Sequence, residues 1–232
     1  MQNNTLYNET SIGNIVAVDF RAAEIFRNAG IDFCCGGKKS IDAACKEKGI
    51  ESSAILLQLE ELENTPKTQA QNFNEWELGF LTDYIVNTHH KYVTKTLPSL
   101  VGYTQKIASV HGLHHPELIE VADLFEKINT ELSQHLQKEE DVLFPAIKEV
   151  LKSNSNEARS VILSEITRMT GEHEFAGGAM DSINEITSNY QVPEDGCNTY
   201  QVTFNLLRQF EDDLHVHVHL ENNILYPKAL KL

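Results

Sequence analysis

Four long stretches of the chain repeat apolar residues at helical spacing, and no stretch of comparable length alternates apolar with polar residues as a half-buried strand does. The first opens at Asn74, with Glu77 three residues later as in a capping box, and is expected to stop near Leu97-Pro98, where proline ends or kinks a helix. The second takes Pro116 into its first turn and runs to Phe144-Pro145 or a little beyond. The third covers about Glu157 to Ser188, and the fourth about Asn198 to Tyr226-Pro227. Four helices joined by short to moderate connections imply a bundle.

Two shorter helical patterns precede them, Ile15 to Ala29 and Ser40 to Glu63. They are joined by Ile31-Asp32-Phe33-Cys34-Cys35-Gly36-Gly37, whose paired glycines permit positive φ. Asn64 to Asn72 is polar, contains Pro66 and lacks apolar periodicity, which is the composition of a linker. The expected fold is therefore all-α: a small helical N-terminal domain over residues 1–65 that carries Cys34-Cys35-Gly36-Gly37, and a four-helix bundle over residues 73–232.

Charge narrows the partners. A formal charge of −15 argues against nucleic acid and anionic membranes, which need a concentrated positive surface. No apolar run approaches the roughly 20 residues that span a bilayer, and Met1 to Asp19 lacks the pattern of a secretory signal, so a cytoplasmic location is expected. Of the four cysteines, Cys34 and Cys35 are neighbours, which suits reduced thiols better than a disulfide framework. Ten histidines beside one tryptophan and three methionines is the more specific oddity, because neutral imidazole is the commonest metal ligand.

The histidines are placed by a repeat. His135 precedes Glu139 by four and Pro145 by ten; His217 precedes Glu221 by four and Pro227 by ten. His90 precedes His135 by 45, and His173 precedes His217 by 44, as a duplicated pair of helices would produce. Residues four apart share a helix face. On the fourth helix Leu207, Phe210, Leu214, Val218, Ile224 and Leu225 mark an apolar stripe that contains His217 and Glu221, while His215 and His219 fall away from it. Val121, Leu124, Phe125, Ile128, Leu132 and Leu143 do the same around His135 and Glu139. Ile162, Ile166, Met169, Ala176, Met180 and Ile183 surround His173. The first helix leaves a choice: Val86, Val93 and Leu97 frame His90, and Leu81, Ile85 and Tyr92 frame His89. Burying two carboxylates without a nearby lysine or arginine costs several kcal/mol each, a cost that bound cations offset. Mixed imidazole and carboxylate donors suit iron, manganese or zinc, and two carboxylates able to bridge favour a binuclear site.

At these residues the chain resembles the hemerythrin-like di-iron proteins, and more closely the repair-of-iron-centres family. Asp32-Phe33-Cys34-Cys35-Gly36-Gly37-Lys38 is similar to that family's Cys-Cys-Gly-Gly domain, and Leu220-Glu221-Asn222-Asn223-Ile224-Leu225-Tyr226-Pro227 to its last helix. The resemblance implies His90, His135, His173 and His217 as terminal ligands, with Glu139 and Glu221 as bridges between two irons that also share an oxo or hydroxo group. It selects His90 over His89. It further implies damaged iron–sulfur proteins as clients, nitric oxide or O2 as small ligands, and the nitric oxide reducing activity proposed for the family. The other class of function is a reversible O2- or nitric-oxide-binding sensor or carrier; the cysteine domain favours repair.

Glu131, one turn before His135, and Glu172, beside His173, are candidates for orienting the ligands. Cys34 and Cys35 are candidate reactive thiols, in a turn whose amides and neighbouring Lys38 and Lys39 would favour thiolate. His111, His114 and His115 fall in the connection between the first two helices and read as a solvated loop; Cys45 and Cys197 have no ligand-spaced neighbours.

Overall fold

The computed structural model describes residue 7, residues 10–65 and residues 72–232. The middle of the expected linker, residues 66–71, lies outside them. The described chain is all-α; its nearest approach to sheet is an isolated bridge between Ser11 and Ser40. It packs as two units, one formed by the chain up to Leu81 with Val218–Lys231, the other by Thr82–His217 with Leu232. The end of the chain is thus shared out differently from the expected division into 1–65 and 73–232.

In the first unit, α1 (Ile12–Val18) is started by Ser11, whose Oγ accepts the Asn14 amide at 3.4 Å. Asp19 then turns extended at φ −141°, and its carboxylate holds the Arg21 guanidinium at 2.6 Å, so the helix expected over Ile15–Ala29 is broken before α2 (Ala22–Asn28). Ser40 caps α3 (Ile41–Lys48) by accepting from the Ala43 amide at 3.2 Å. Gly49, at φ 68°, closes it in the left-handed conformation that a Cβ disfavours, so Ser40–Glu63 also divides, with α4 at Ser52–Glu63. Ile12, Val16, Phe26, Ile41 and Leu59 are at most 1% exposed and centre this unit's core.

The first two bundle helices run further than the sequence pattern suggests. The expected capping box at Asn74 is instead a 3₁₀ turn, Phe73–Glu75, and the helix proper begins as α5 (Leu78–Ile85). It passes through a π-helical turn, Val86–His90, into α6 (Lys91–His111), which contains Pro98. The proline does not end the helix: Pro98 lies on an exposed face, where the carbonyl left without its usual donor can turn to water. α7 (Glu117–Lys138) likewise runs through a π turn, Glu139–Leu143, into α8 (Phe144–Ser153). Ser155 caps α9 (Asn156–Ile186). α10 (Asn198–Leu220) continues through the π turn Glu221–Leu225 into α11 (Tyr226–Ala229).

The second unit's core follows the expected stripes: Val121, Phe125, Ile128, Leu132, Ile162, Met169, Ile183, Leu207, Phe210 and Leu214 are all at most 2% exposed. Phe125 and Phe210 meet edge to face at 5.4 Å. Among the described residues no helix is long and apolar enough to cross a membrane.

Candidate metal centre

Three of the candidate ligands sit at π turns, where a main-chain bond spans five residues rather than four: Lys91 N to Val86 O, Phe144 N to Glu139 O, and Tyr226 N to Glu221 O. His90 ends the first of these turns, Glu139 begins the second and Glu221 begins the third. Phe144-Pro145 and Tyr226-Pro227 follow the second and third, placing each proline where a helix restarts and its missing N–H does least harm.

Within the second unit the first two of these turns come together. His90, His135, His173 and His217 are each 1% exposed and Glu139 is fully buried. One oxygen, Glu139 Oε2, lies 3.2 Å from His135 Nε2 on its own helix and 3.4 Å from His90 Nε2 on another. His135 Nε2 lies 3.0 Å from His173 Nε2, an approach in which at least one nitrogen offers a lone pair. The His217 ring lies 5.0 Å from that of His90 and 6.5 Å from that of His173. Glu221 is fully buried one turn beyond His217 on the continuous helix. Among the described residues no lysine or arginine is buried, so none of them brings a buried ammonium or guanidinium to these carboxylates. Imidazole nitrogens gathered around a carboxylate form a donor set that fits divalent or trivalent iron.

Carboxylates stand behind the rings. His90 Nδ1 is 2.9 Å from Glu140 Oε1, and His135 Nδ1 is 2.9 Å from Glu172 Oε2, which leaves Nε2 of each ring to face the cluster. Lys138 Nζ donates to the other Glu172 oxygen at 2.7 Å. The hydrogen bond from His135, then that from Lys138, holds the Glu172 carboxyl down at about 2. Glu131, the other candidate orienting group, is exposed. Glu140 carries no sequence signal, because only the crossing of the two helices brings it behind His90. It also lines a surface groove of about 480 Å³ with Asp83, Phe144, Lys148 and Lys152.

Both candidates on the first helix are buried, but to different ends. His90 meets Glu139, whereas His89 pairs through Nδ1 with Asp213 at 3.0 Å and stacks on the His217 ring at 5.6 Å. His219 departs from the expectation that it faces away from the core. It is fully buried, because the rings of Phe20 and Phe33 cover it at 6.0 and 5.6 Å, and that burial pushes its pKa down to about 4.

The cysteine turn is also built differently from the sequence reading. Its amides are spent on Asp32, whose carboxylate accepts from the amides of Cys34, Cys35 and Gly36 at 2.7–3.0 Å. Lys39 pairs with Glu47. Cys34 is 4% exposed, and its hydrogen bond with Cys35 together with burial pushes its thiol well up, so the expected thiolate is not favoured there. Gly37 serves close approach rather than positive φ: a Cβ would sit 2.6 Å from both Asn223 Oδ1 and Phe33 O. Asn223 Nδ2 donates to the carbonyls of Phe33 at 3.3 Å and Cys34 at 3.1 Å, holding the turn against the last helix of its own unit.

Residues 8–63 match a family described as a domain of unknown function (DUF542), and residues 81–229 match the hemerythrin HHE cation binding domain. The iron-sulfur cluster repair protein ScdA of Staphylococcus epidermidis is 33% identical over 222 residues, covering 95% of this chain and 98% of that protein. The chain belongs to the repair-of-iron-centres family. Another member, ScdA of Staphylococcus haemolyticus, is 32% identical over 95% of this chain and 98% of its own. The iron-sulfur cluster repair protein YtfE of Pectobacterium atrosepticum is 33% identical over 97% of this chain and 98% of its own. In this member of the repair-of-iron-centres family, the HHE match spans all six candidate ligands, and the N-terminal match holds the Cys34-Cys35-Gly36-Gly37 turn.

Proposed function

We propose that the protein is a non-haem di-iron protein that restores iron–sulfur clusters damaged by nitrosative or oxidative stress in the cytoplasm. His90, His135, His173 and His217 serve as the terminal ligands, and Glu139 and Glu221 as the bridging carboxylates. The observation that carries this reading is the position of Glu139 Oε2 between imidazoles from two helices, 3.2 Å from His135 and 3.4 Å from His90. The names of relatives that align over nearly their whole length support the repair role.

A pair of irons would supply two electrons and a binding place for a small diatomic such as nitric oxide or O2. The protein's own residues do the rest. Glu140 and Glu172 fix the His90 and His135 rings by their Nδ1 atoms, so that both present Nε2 to one region. Leu132, Met169 and Leu214, each about one turn before one of these histidines, are at most 2% exposed, so the helix faces that carry the ligands are dry. Iron donated to a damaged cluster would pass from these His and Glu side chains to the thiolates that hold iron–sulfur clusters.

The test is metal analysis and electronic absorption of protein from iron-supplied cells, before and after nitric oxide, together with recovery of a nitric-oxide-damaged iron–sulfur dehydratase. The expected result is about two irons per chain, absorption that nitric oxide alters, and recovered client activity, with Glu139→Ala and His217→Ala losing all three. Zinc or no metal in the unaltered protein overturns the di-iron reading. Reversible gas binding without client recovery or nitric oxide turnover makes the protein a sensor or carrier instead.

A further inference from the structure

At the opposite end of the second unit's helices lies a second group of chemically active side chains. His90 is separated from His111 along α6, and Cys197 from His217 along α10, by helix lengths of about 30 Å each. Cys197 is exposed and occupies the position just before α10, where its carbonyl accepts the Gln201 amide at 3.1 Å and its sulfur accepts from the amides of Thr199 and Tyr200. His111, the last residue of α6, brings Nε2 to 3.2 Å from that sulfur.

Both helix ends favour the same charge distribution. The start of the 23-residue α10 stabilises an anion, and the end of the 21-residue α6 stabilises a cation. Two carboxylates stand nearby. His115 is held between Glu117 at 3.0 Å and Asp195 at 3.0 Å, so each carboxylate already has a ring-nitrogen partner, and Asp195 also acts on His111 through charge. The bond to Asp195 raises the His115 pKa. Tyr200 lies against both rings, 5.4 Å from His111 and 5.8 Å from His115, and limits how far His111 can swing.

We propose that Cys197 and His111 form a hydrogen-bonded thiolate–imidazole pair that exchanges with low-molecular-weight disulfides, making Cys197 a site of reversible mixed-disulfide modification. The Cys197 sulfur attacks one sulfur of the disulfide; a new S–S bond forms to that half, the old S–S bond breaks, and the other half leaves as a thiolate. Cys197 is oxidised and the leaving half is reduced, the thiol's own proton having gone to solvent before the attack. A free thiol reverses the step. Two of the other described cysteines compete poorly. Cys34 and Cys45 are buried and their thiols are pushed up, while the hydrogen bond from His111 brings that of Cys197 down to about 7.

The test treats the full-length protein with a chromogenic aromatic disulfide across neutral pH, follows the released coloured thiolate, and maps the modified cysteine by mass spectrometry. A fast phase on Cys197 with a midpoint near pH 7 is expected, against about 8.5 for an ordinary cysteine. Lower basicity also lowers nucleophilicity, so at pH 7 the rate advantage over an ordinary exposed thiol is only about threefold and the midpoint is the sharper readout. His111→Asn moves the midpoint up by about a unit or more, and His111→Gln does so too if asparagine disturbs the connection. Cys197→Ser removes the phase while keeping a good cap. A midpoint near that of an ordinary cysteine and indifferent to both His111 variants overturns the proposal, as does mapping of the fast phase to Cys35. Glu139→Ala leaves the phase intact, so the result stands or falls apart from the di-iron reading.

Discussion

Glu172 joins two helices through a single carboxylate: Oε2 is 2.9 Å from His135 Nδ1 on α7, and Oε1 accepts from Lys138 Nζ at 2.7 Å one turn later. The pair of bonds fixes the His135 ring about its own axis, so that its Nε2 stays near Glu139 and His173. Glu172→Ala is expected to weaken metal binding about 10- to 100-fold while leaving the helix content unchanged. Competition with a chromogenic chelator measures it. Glu131→Ala, an exposed change on the adjoining turn, serves as the control with no effect.

Glu140 stands to His90 as Glu172 stands to His135, but on an exposed side chain beside the groove with Lys148 and Lys152. Glu140→Gln keeps the reach and removes the charge. The expected result is a weaker site that loses metal to the chelator faster than the unaltered protein, by a smaller factor than Glu172→Ala.

Phe125 and Phe210 are both fully buried where α7 and α10 cross. Phe125→Ala should cost about 3–5 kcal/mol through lost burial and the cavity left behind. Denaturant unfolding of the metal-free protein reads this cost without the contribution of bound metal.

Asn223 is the anchor of the cysteine turn in the first unit. Asn223→Asp replaces a donor by an acceptor facing two carbonyls, and should cost about 1–3 kcal/mol. The alkylation rate of Cys34 should rise as the turn loosens; an unchanged rate would show that Asp32 alone holds it.

Glu211 is 7% exposed, and burial raises its pKa above 4.5 even though Asn184 donates to both of its oxygens, at 3.2 and 3.0 Å. Its protonated form is favoured in the fold, so its stability penalty is absent below pH 4.5, grows as pH rises through the folded pKa and is constant above it. Glu211→Gln should therefore gain stability relative to the unaltered protein as pH rises from 4.5 toward neutrality, seen as diverging denaturation midpoints.

The all-α class and the bundle stripes were legible in the sequence because spacing alone determines which residues share a helix face. Val121, Phe125, Ile128 and Leu132, and Leu207, Phe210 and Leu214, are buried as their periodicity requires, while Leu124 at the edge of its stripe is half-buried. The helix ends were less legible. Pro98 and the Asp19–Arg21 break each depend on local solvent access or a specific ion pair, which no periodic pattern carries. Glu140, Asp213 and the His111–Cys197 contact were invisible for a different reason. The first two partner rings on other helices, and Cys197 is 86 residues from His111, so each contact exists only once the helices have packed. His219 was misread because its apolar cover, Phe20 and Phe33, comes from the far end of the chain.

The π turns at Val86–His90, Glu139–Leu143 and Glu221–Leu225 each hold one residue more than a regular helical turn. That surplus residue rotates everything downstream by about 100°. The positions proposed to face metal and those that face the core are thereby set in separate registers on one helix, neither of which a straight helix reproduces. Removing a single residue from Glu139–Leu143 would restore a straight helix and swing Phe144, Ile147 and Val150 out of the core while Glu139 stayed in place. Conversely, ligands can be exchanged within the turn with little consequence for packing beyond it. Such a protein can lose its metal chemistry in evolution and still keep its bundle, whereas one lost residue in the turn would cost it the bundle first.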